Sequence, residues 1–305
     1  MSDIPVFKLP NIEIMDLIGR GGMASVWRAR QISLDRPVAV KILSPDFSSD
    51  TEDVERFRRE AQTAARLKHS GIVQVYDANF SDGAFYFVME LVEGYTFGEL
   101  LRRKGCLAIE DALIVAESVA VALDYAWSVA QMIHCDIKPD NIMVDADGTV
   151  KVTDLGLCRS LTLRKENAKE TAEEILGTPA YMSPEQVYGS NKLDCRADIY
   201  ALGATLYHLL TGHMLFEGKT DDEIIRCHVD ASQAPDLSTY VSGVTGPLVL
   251  LLEKLLAKAP EHRPHDWKHV LSDLSRLRKG QPPYPALIPP YGSSMMRSGS
   301  PLIKT

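Results

Sequence analysis

The stretch His134-Cys135-Asp136-Ile137-Lys138-Pro139-Asp140-Asn141 gathers two carboxylates, an ammonium, an imidazole, a thiol and an amide into eight residues. A lone aspartate in such a setting is ordinarily a loop or cap residue, so its meaning depends on what flanks it. On the N-terminal side, Ala112, Val115, Ala116, Val119, Leu123 and Trp127 recur at helical spacing as one apolar stripe. Before that stripe, just after Glu93-Gly94, Thr96 and Glu99 stand three apart as a capping box. On the C-terminal side, residues 197–210 are apolar nearly all round, the pattern of a helix buried within a helical region. Residues 248–256 and 267–277 read as two more helices, with Pro260 and Pro264 punctuating the link.

Upstream of residue 92 the character is different. Residues 26–29 and 38–43 are short β-prone runs separated by a polar turn at 33–37. One helix is expected over 50–68, where Ser49 and Glu52 form a capping box and Val54, Phe57, Ala61 and Ala64 recur at helical spacing. Residues 72–76 and 84–91 read as strands again, with Ser81-Asp82-Gly83 turning between them. The expected architecture is α+β. An N-terminal extension (1–11) leads into a small β-rich lobe with one helix (12–92) and a larger, mainly helical lobe (93–279). From Gly280 to the end at 305 the chain is rich in Pro, Gly and Ser, the composition of a disordered or polyproline tail. No internal repeat is visible.

Composition narrows the field. At ~150 residues per domain, 305 residues allow about two lobes. Apolar residues at 45% and charged residues at 24% exclude wholesale disorder and a fibrous repeat. Thirty-three basic against 41 acidic side chains leave a net charge of −8, which repels phosphate backbones and argues against nucleic acid as a partner. A local basic pocket for one nucleotide remains compatible with it. Five cysteines, an odd number with no C-x-x-C pair, point to free thiols in a reducing compartment, and a cytoplasmic location is expected. Residues 1–10 lack the basic start and apolar core of a signal peptide. The runs 199–210 and 248–256 are too short for a bilayer, so no membrane span is expected.

The first chemical candidate is Ile18-Gly19-Arg20-Gly21-Gly22-Met23-Ala24-Ser25-Val26. Glycines let backbone N–H groups approach phosphate oxygens with no Cβ in the way, but alone the string reads equally as a flexible turn. A dinucleotide-binding fingerprint must open a helix, and Val26-Trp27-Arg28-Ala29 looks like the return strand of a hairpin. A Walker loop needs Gly-Lys-Ser/Thr after its glycines, and none follows. What remains is a glycine-rich β-turn over phosphates, followed by Val38-Ala39-Val40-Lys41, whose lysine would reach the same phosphates.

Further strings come in a fixed order. Glu60 lies on the expected helix, and after the eight-residue stretch come Asp154-Leu155-Gly156, Gly177-Thr178-Pro179, Ser183-Pro184-Glu185, Asp198 with Gly203, and Arg263. In this order, over residues 12–277, the chain resembles the protein kinases, and most closely the bacterial eukaryotic-type (Hanks-type) Ser/Thr kinases. The resemblance implies a bilobal protein-kinase-like fold and transfer of the ATP γ-phosphate to Ser/Thr hydroxyls of protein substrates, with Mg2+ (or Mn2+). It implies that Ile18, Gly19, Arg20, Gly21, Gly22, Met23, Ala24, Ser25 and Val26 cover the ATP. Lys41 holds its α- and β-phosphates, fixed by an ion pair to Glu60. From the residues alone Glu60 is not distinct from Glu52 and Glu55; only the family spacing selects it. The adenine pocket would be lined by Ile18, Val26, Ala39 and Met143, with Met89 as gatekeeper and the Glu90 and Val92 backbone bonding the base. Asp136 would accept the substrate proton, Lys138 would neutralise the γ-phosphate, and Asn141 and Asp154 would hold the cation. Lys138 with Thr178 marks Ser/Thr acceptors. Glu185 and Arg263 would form a buried pair tying the activation segment down, and Asp198 would accept hydrogen bonds from the catalytic-loop backbone.

Three positions depart from the family pattern: Ala24 replaces the third glycine, Leu155 an aromatic, and Cys135 an arginine. That arginine binds the activation-loop phosphate in kinases switched by phosphorylation, which a thiol cannot do. Activity is therefore expected not to require phosphorylation between Leu157 and Leu176, including at Thr162 and Thr171, and Cys135 itself is expected to be inert. His262, His265 and His269 are expected to be a solvated helix start, since no carboxylate or thiol completes a metal set. Two other readings remain open, a nucleotide-binding scaffold without turnover and a small-molecule phosphotransferase of related fold. Input would arrive through protein partners, with the Pro-rich tail as a docking segment.

Overall fold

In the run Arg36–Leu43, alternation sends Val38, Val40 and Ile42 to one face of a strand and Ala39, Lys41 and Leu43 to the other. The computed structural model describes residues 9–21, 24–43, 61–81, 83–155, 178–190, 192–218, 220–286, 288 and 292–295. Five antiparallel strands, β1 (Ile12–Arg20), β2 (Ala24–Gln31), β3 (Arg36–Leu43), β4 (Val75–Ser81) and β5 (Ala84–Met89), form a sheet in the order β1-β2-β3-β5-β4. Val38, Val40 and Ile42 pack with Trp27, Tyr86 and Val88 on one side. On the other, Leu43 packs with Phe85, Phe87 and Ala61, the last in the helical segment 61–66. Ser49, Glu52, Val54, Phe57 and Glu60 of the expected helix lie outside the described residues.

The strand expected at 72–76 begins three residues later. Ile72 instead makes a parallel bridge to Val152, the Val73 N–H donates to the Val152 carbonyl at 2.9 Å, and the Val152 N–H donates to the Gly71 carbonyl at 2.8 Å. An apolar pair such as Ile72-Val73 signals burial and says nothing about which strand it will meet.

The helical part contains α1 (Phe97–Lys104), α2 (Ile109–Ala130), α3 (Pro184–Val187), α4 (Cys195–Thr211), α5 (Asp221–Val229), α6 (Gly246–Leu255) and α7 (Trp267–Arg278). The Thr96–Glu99 capping box opens α1, and Asp194 and Asp266 cap α4 and α7. Helix α4 is the buried centre: Ile199, Tyr200, Ala204, Leu206 and Tyr207 are fully enclosed. A Cβ at Gly203 would come within 2.9 Å of the Leu255 Cβ, so glycine there lets α4 and α6 approach closely. Helix α2, 22 residues long, carries the apolar stripe expected over residues 112–127 and is apolar enough to cross a membrane by length and composition. Its Val115, Ala116, Val119, Ala120 and Leu123 are buried in the main core. Helix α5 is absent from the sequence expectations, although Thr220 and Glu223 form a capping box at its start. A second sheet, β6 (Gly94–Thr96), β7 (Ile142–Asp145) and β8 (Val150–Val152), escaped reading because strands of three or four residues are too short to show alternation.

The tail needs correction. Among its described residues, Ser293, Ser294 and Met295 are buried, and bridges link Ala257 to Ser293 and Ala234 to Met295. The Tyr284 N–H donates to Asp273 Oδ1 at 2.9 Å. A Pro/Gly/Ser composition cannot build its own core, but it leaves backbone groups available to pair with a surface already formed, here the chain's own helical part.

Candidate active site

Strand register brings one set of residues to the cleft. Val26 stands opposite Lys41, and Ala39 opposite Met89, all on one face of the sheet. Val26, Ala39, Met89 and Val92 belong to one apolar cluster with Val73 and Leu91. The Glu90 N–H donates to the Gln74 carbonyl at 2.9 Å, so of Glu90's backbone the carbonyl faces the task of bonding a base. Met143, on β7, is half-buried, while Ile18 is exposed. The glycine string is the β1–β2 hairpin: Gly19 faces Val26, Arg20 faces Ser25, and the Gly21 N–H donates to the Ala24 carbonyl at 2.9 Å. Gly22 and Met23 lie outside the described residues.

Lys41 Nζ meets Asp154 Oδ1 at 2.8 Å. Burial opposes the Asp154 charge, but the Lys41 ammonium outweighs it and holds the carboxyl below the usual range. Glu60, the expected partner of Lys41, is outside the described residues. Leu155 is buried and lines a small apolar cavity with Ala64, Ile72, Val73, Phe87 and Met89.

Across the cleft, residues 131–141 form an irregular loop between α2 and β7. Asp136 Oδ2 accepts from Asn141 Nδ2 at 2.9 Å and pairs with Lys138 Nζ at 2.7 Å. Lys138 Nζ also donates to Thr178 Oγ1 at 2.5 Å. Asn141 Nδ2 donates to the Asp136 carbonyl as well, at 2.8 Å, which turns the amide oxygen away from Asp136.

The loop is held from beneath by a carboxylate. Asp198, 1% exposed, accepts the His134 N–H at 2.7 Å and the Cys135 N–H at 2.8 Å. Burial raises its pKa, countered by those donors. His134 Nε2 contacts the Thr153 carbonyl at 2.8 Å, and its Nδ1 accepts the Asp136 N–H at 3.2 Å. A carbonyl only accepts, so the proton sits on Nε2. Thr205 Oγ1 donates to the Ile137 carbonyl at 3.2 Å, and Gln186 Nε2 donates to the Cys135 carbonyl at 2.8 Å. Cys135 and Asp154 both have left-handed backbone (φ 68° and 62°), a local cost of about 1–3 kcal/mol each that such a network sustains. Cys135 is buried within it.

Glu185 and Arg263 form a bidentate pair at 2.6 and 2.8 Å, and Arg263 also donates to the carbonyls of Ala257, Arg196 and Lys258. Sequence reading missed Thr205 and Gln186. The capping box that Ser183 forms with Gln186 was a usable signal for the second; nothing local distinguished the first. The histidine cluster also differs from expectation, because Asp266 completes a three-donor set with His265 and His269 within 4.8 Å. Both rings are exposed, and Asp266 Oδ1 already accepts the His269 N–H as the α7 cap. The activation segment with Thr162, Thr171 and Gly177 is outside the described residues.

A turn of glycines above an ammonium suits the covering of phosphates, and the loop carboxylate opposite places the molecule among phosphoryl-transfer folds. Residues 12–273 match the family model for the protein kinase domain, and the chain belongs to the protein kinase family. It is 40% identical over 251 residues to the serine/threonine-protein kinase PrkC of Bacillus subtilis, covering 82% of this chain and 38% of that protein. It is 38% identical over 275 residues to the serine/threonine-protein kinase PknB of Mycobacterium leprae, covering 89% and 43%. The chain thus spans less than half the length of these curated relatives. Among solved structures, the Mycobacterium tuberculosis PknI kinase domain superposes with a TM-score of 0.71 at 26% identity, covering 92% of this chain and 99% of that one.

Proposed function

We propose that this chain transfers the γ-phosphoryl group of ATP to serine or threonine hydroxyls of protein substrates. The observation that carries the reading is the convergence of Asp136, Lys138, Asn141 and Thr178 within hydrogen-bond reach, facing the Lys41–Asp154 pair. Asp136 accepts the proton of the attacking hydroxyl. Lys138, beside it, balances charge on the transferring group, and its contact with Thr178 ties the catalytic loop to the acceptor platform. Lys41 holds the α- and β-phosphates.

The Asn141 amide oxygen and the Asp154 carboxylate are hard oxygen donors, the type that Mg2+ or Mn2+ takes. Bound there, such a cation supplies neutralisation of the phosphate charge. Val26, Ala39, Met89 and Met143 provide the apolar walls for adenine. Helix α2 is read as a core helix and not as a membrane span, because its apolar stripe is spent on α4, α7 and β8. A cytoplasmic location fits the odd number of cysteines and the need for ATP.

Labelled-phosphate transfer from ATP to a generic protein substrate, wild type beside Asp136→Ala, tests the reading. Signal from wild type alone is expected. Equal signal from both overturns it; none from either overturns it and favours a scaffold; transfer to small alcohols but not to protein favours the small-molecule alternative. Thr162→Ala and Thr171→Ala should each retain wild-type turnover.

A further inference from the structure

The described residues 292–295 lie against the helical part, bonded on two sides. The Ser294 N–H donates to the Leu256 carbonyl at 2.9 Å, and the Ala234 N–H donates to the Ser294 carbonyl at 2.8 Å. The Lys258 N–H donates to the Gly292 carbonyl at 2.7 Å, and Ser293 Oγ donates to the Glu253 carbonyl at 2.8 Å. Met295 beside them is 1% exposed.

One side chain of this strap reaches inward. Ser294 Oγ lies 2.6 Å from the Tyr200 hydroxyl, which lies 2.7 Å from His228 Nδ1. Ser294, Tyr200 and His228 are all 0% exposed. His228, on α5, lies beside the Pro179 and Ala180 carbonyls, and its Nε2 is buried without a hydrogen-bond partner among the described residues. Burial, the larger cause, pushes its pKa down to about 3, so the ring is neutral. The Ser294 and Tyr200 hydroxyls and His228 Nδ1 thus form one chain of hydrogen bonds from the strap to α5, and α5 packs against the turn Pro179–Tyr181. Tyr200 also lies under the Arg263 guanidinium, 4.9 Å from its ring centroid, and Arg263 holds Glu185.

We propose that residues 292–295 form an intramolecular strap that, through Ser294, Tyr200 and His228, positions the acceptor-peptide platform at Thr178–Tyr181. The proposal rests on the phosphotransfer reading for its kinetic consequence and stands apart from it for its structural one. Tyr200 and Ser294 are positioning residues: neither touches Asp136, Lys41 or the adenine walls, so their loss acts on the acceptor peptide and not on ATP.

The test uses the full chain with Tyr200→Phe, Ser294→Ala, the double variant, and a deletion of 292–305. Each single variant should raise the acceptor-peptide KM about tenfold, the scale of one buried hydrogen bond, with kcat and the ATP KM unchanged. Because the two hydroxyls act in series, the double variant should match the singles instead of multiplying them. Amide hydrogen exchange at 180–182 should quicken in every variant, deletion included, with no nucleotide present. Lowered melting temperature with unchanged acceptor KM and unchanged exchange at 180–182 would reduce the strap to packing and overturn the proposal, as would equal rises in ATP and peptide KM. If the wild type transfers no phosphate, the kinase reading fails, and the exchange arm still decides the strap.

Discussion

Lys41 and Asp136 face one cleft, yet they are delivered to it differently. Lys41 arrives by strand register: once Val38, Val40 and Ile42 choose the buried face of the sheet, alternation puts Ala39 and Lys41 on the other. Asp136 lies on a loop with no periodicity, where Asp198, His134, Thr205 and Gln186 each secure a separate backbone group. A repeating pattern can be specified by residue type alone. An irregular one must be specified bond by bond, and its buried polar groups become costly when a partner is removed.

Substitutions can break this contrast. The largest effect belongs to Asp136→Ala: a loss of about 10²–10⁴ in kcat, read by phosphate transfer, with ATP affinity by calorimetry little changed. Next is Arg263→Met, which strands Glu185 and three carbonyls, and should cost about 3–5 kcal/mol, measured as a lowered urea midpoint. Lys41→Met should cost about 10²–10³ in kcat while shifting that midpoint far less than Arg263→Met; equal destabilisation by the two would erase the distinction between the walls.

The smallest effect sharpens it. Burial pushes the Lys258 ammonium down to about 8, although it donates to the Cys227 and His228 carbonyls at 2.6 and 3.1 Å. Above that pH the folded chain has released a proton that the unfolded chain, titrating near 10.5, still holds. Stability from this group therefore rises with pH, by up to about 1.4 kcal/mol per unit. The window closes near pH 9, where Cys195, pushed up to about 12 by burial, begins to act in the opposite sense. Urea titrations at pH 8 and 9 should show the rise in wild type and a flat response in Lys258→Met.

The same contrast governs how much was legible in the sequence. The hairpin, β3 with its lysine, and the long helices follow from periodicity and caps, and their bounds moved by only a few residues. Ile72-Val73 was misassigned because an apolar pair names no partner. Asp198, Glu185 and Arg263 could be singled out only through a family resemblance, since the geometry that joins them spans 63 to 78 residues of sequence. Thr205, Tyr200 and His228 carry no local mark of their hydrogen-bond partners. The tail misled for the opposite reason: composition describes what a segment does alone, and this one is completed by a surface made elsewhere.

The bonds from Gly71 and Val73 to Val152 have a consequence for access to the cleft. Main chain leading into the sheet is stitched at that point to main chain beside Asp154. While both stitches hold, the two halves cannot separate there, so any widening takes the form of a swing about this seam. The parts of the sheet farthest from this seam then travel most, and Val152, at the seam itself, travels least.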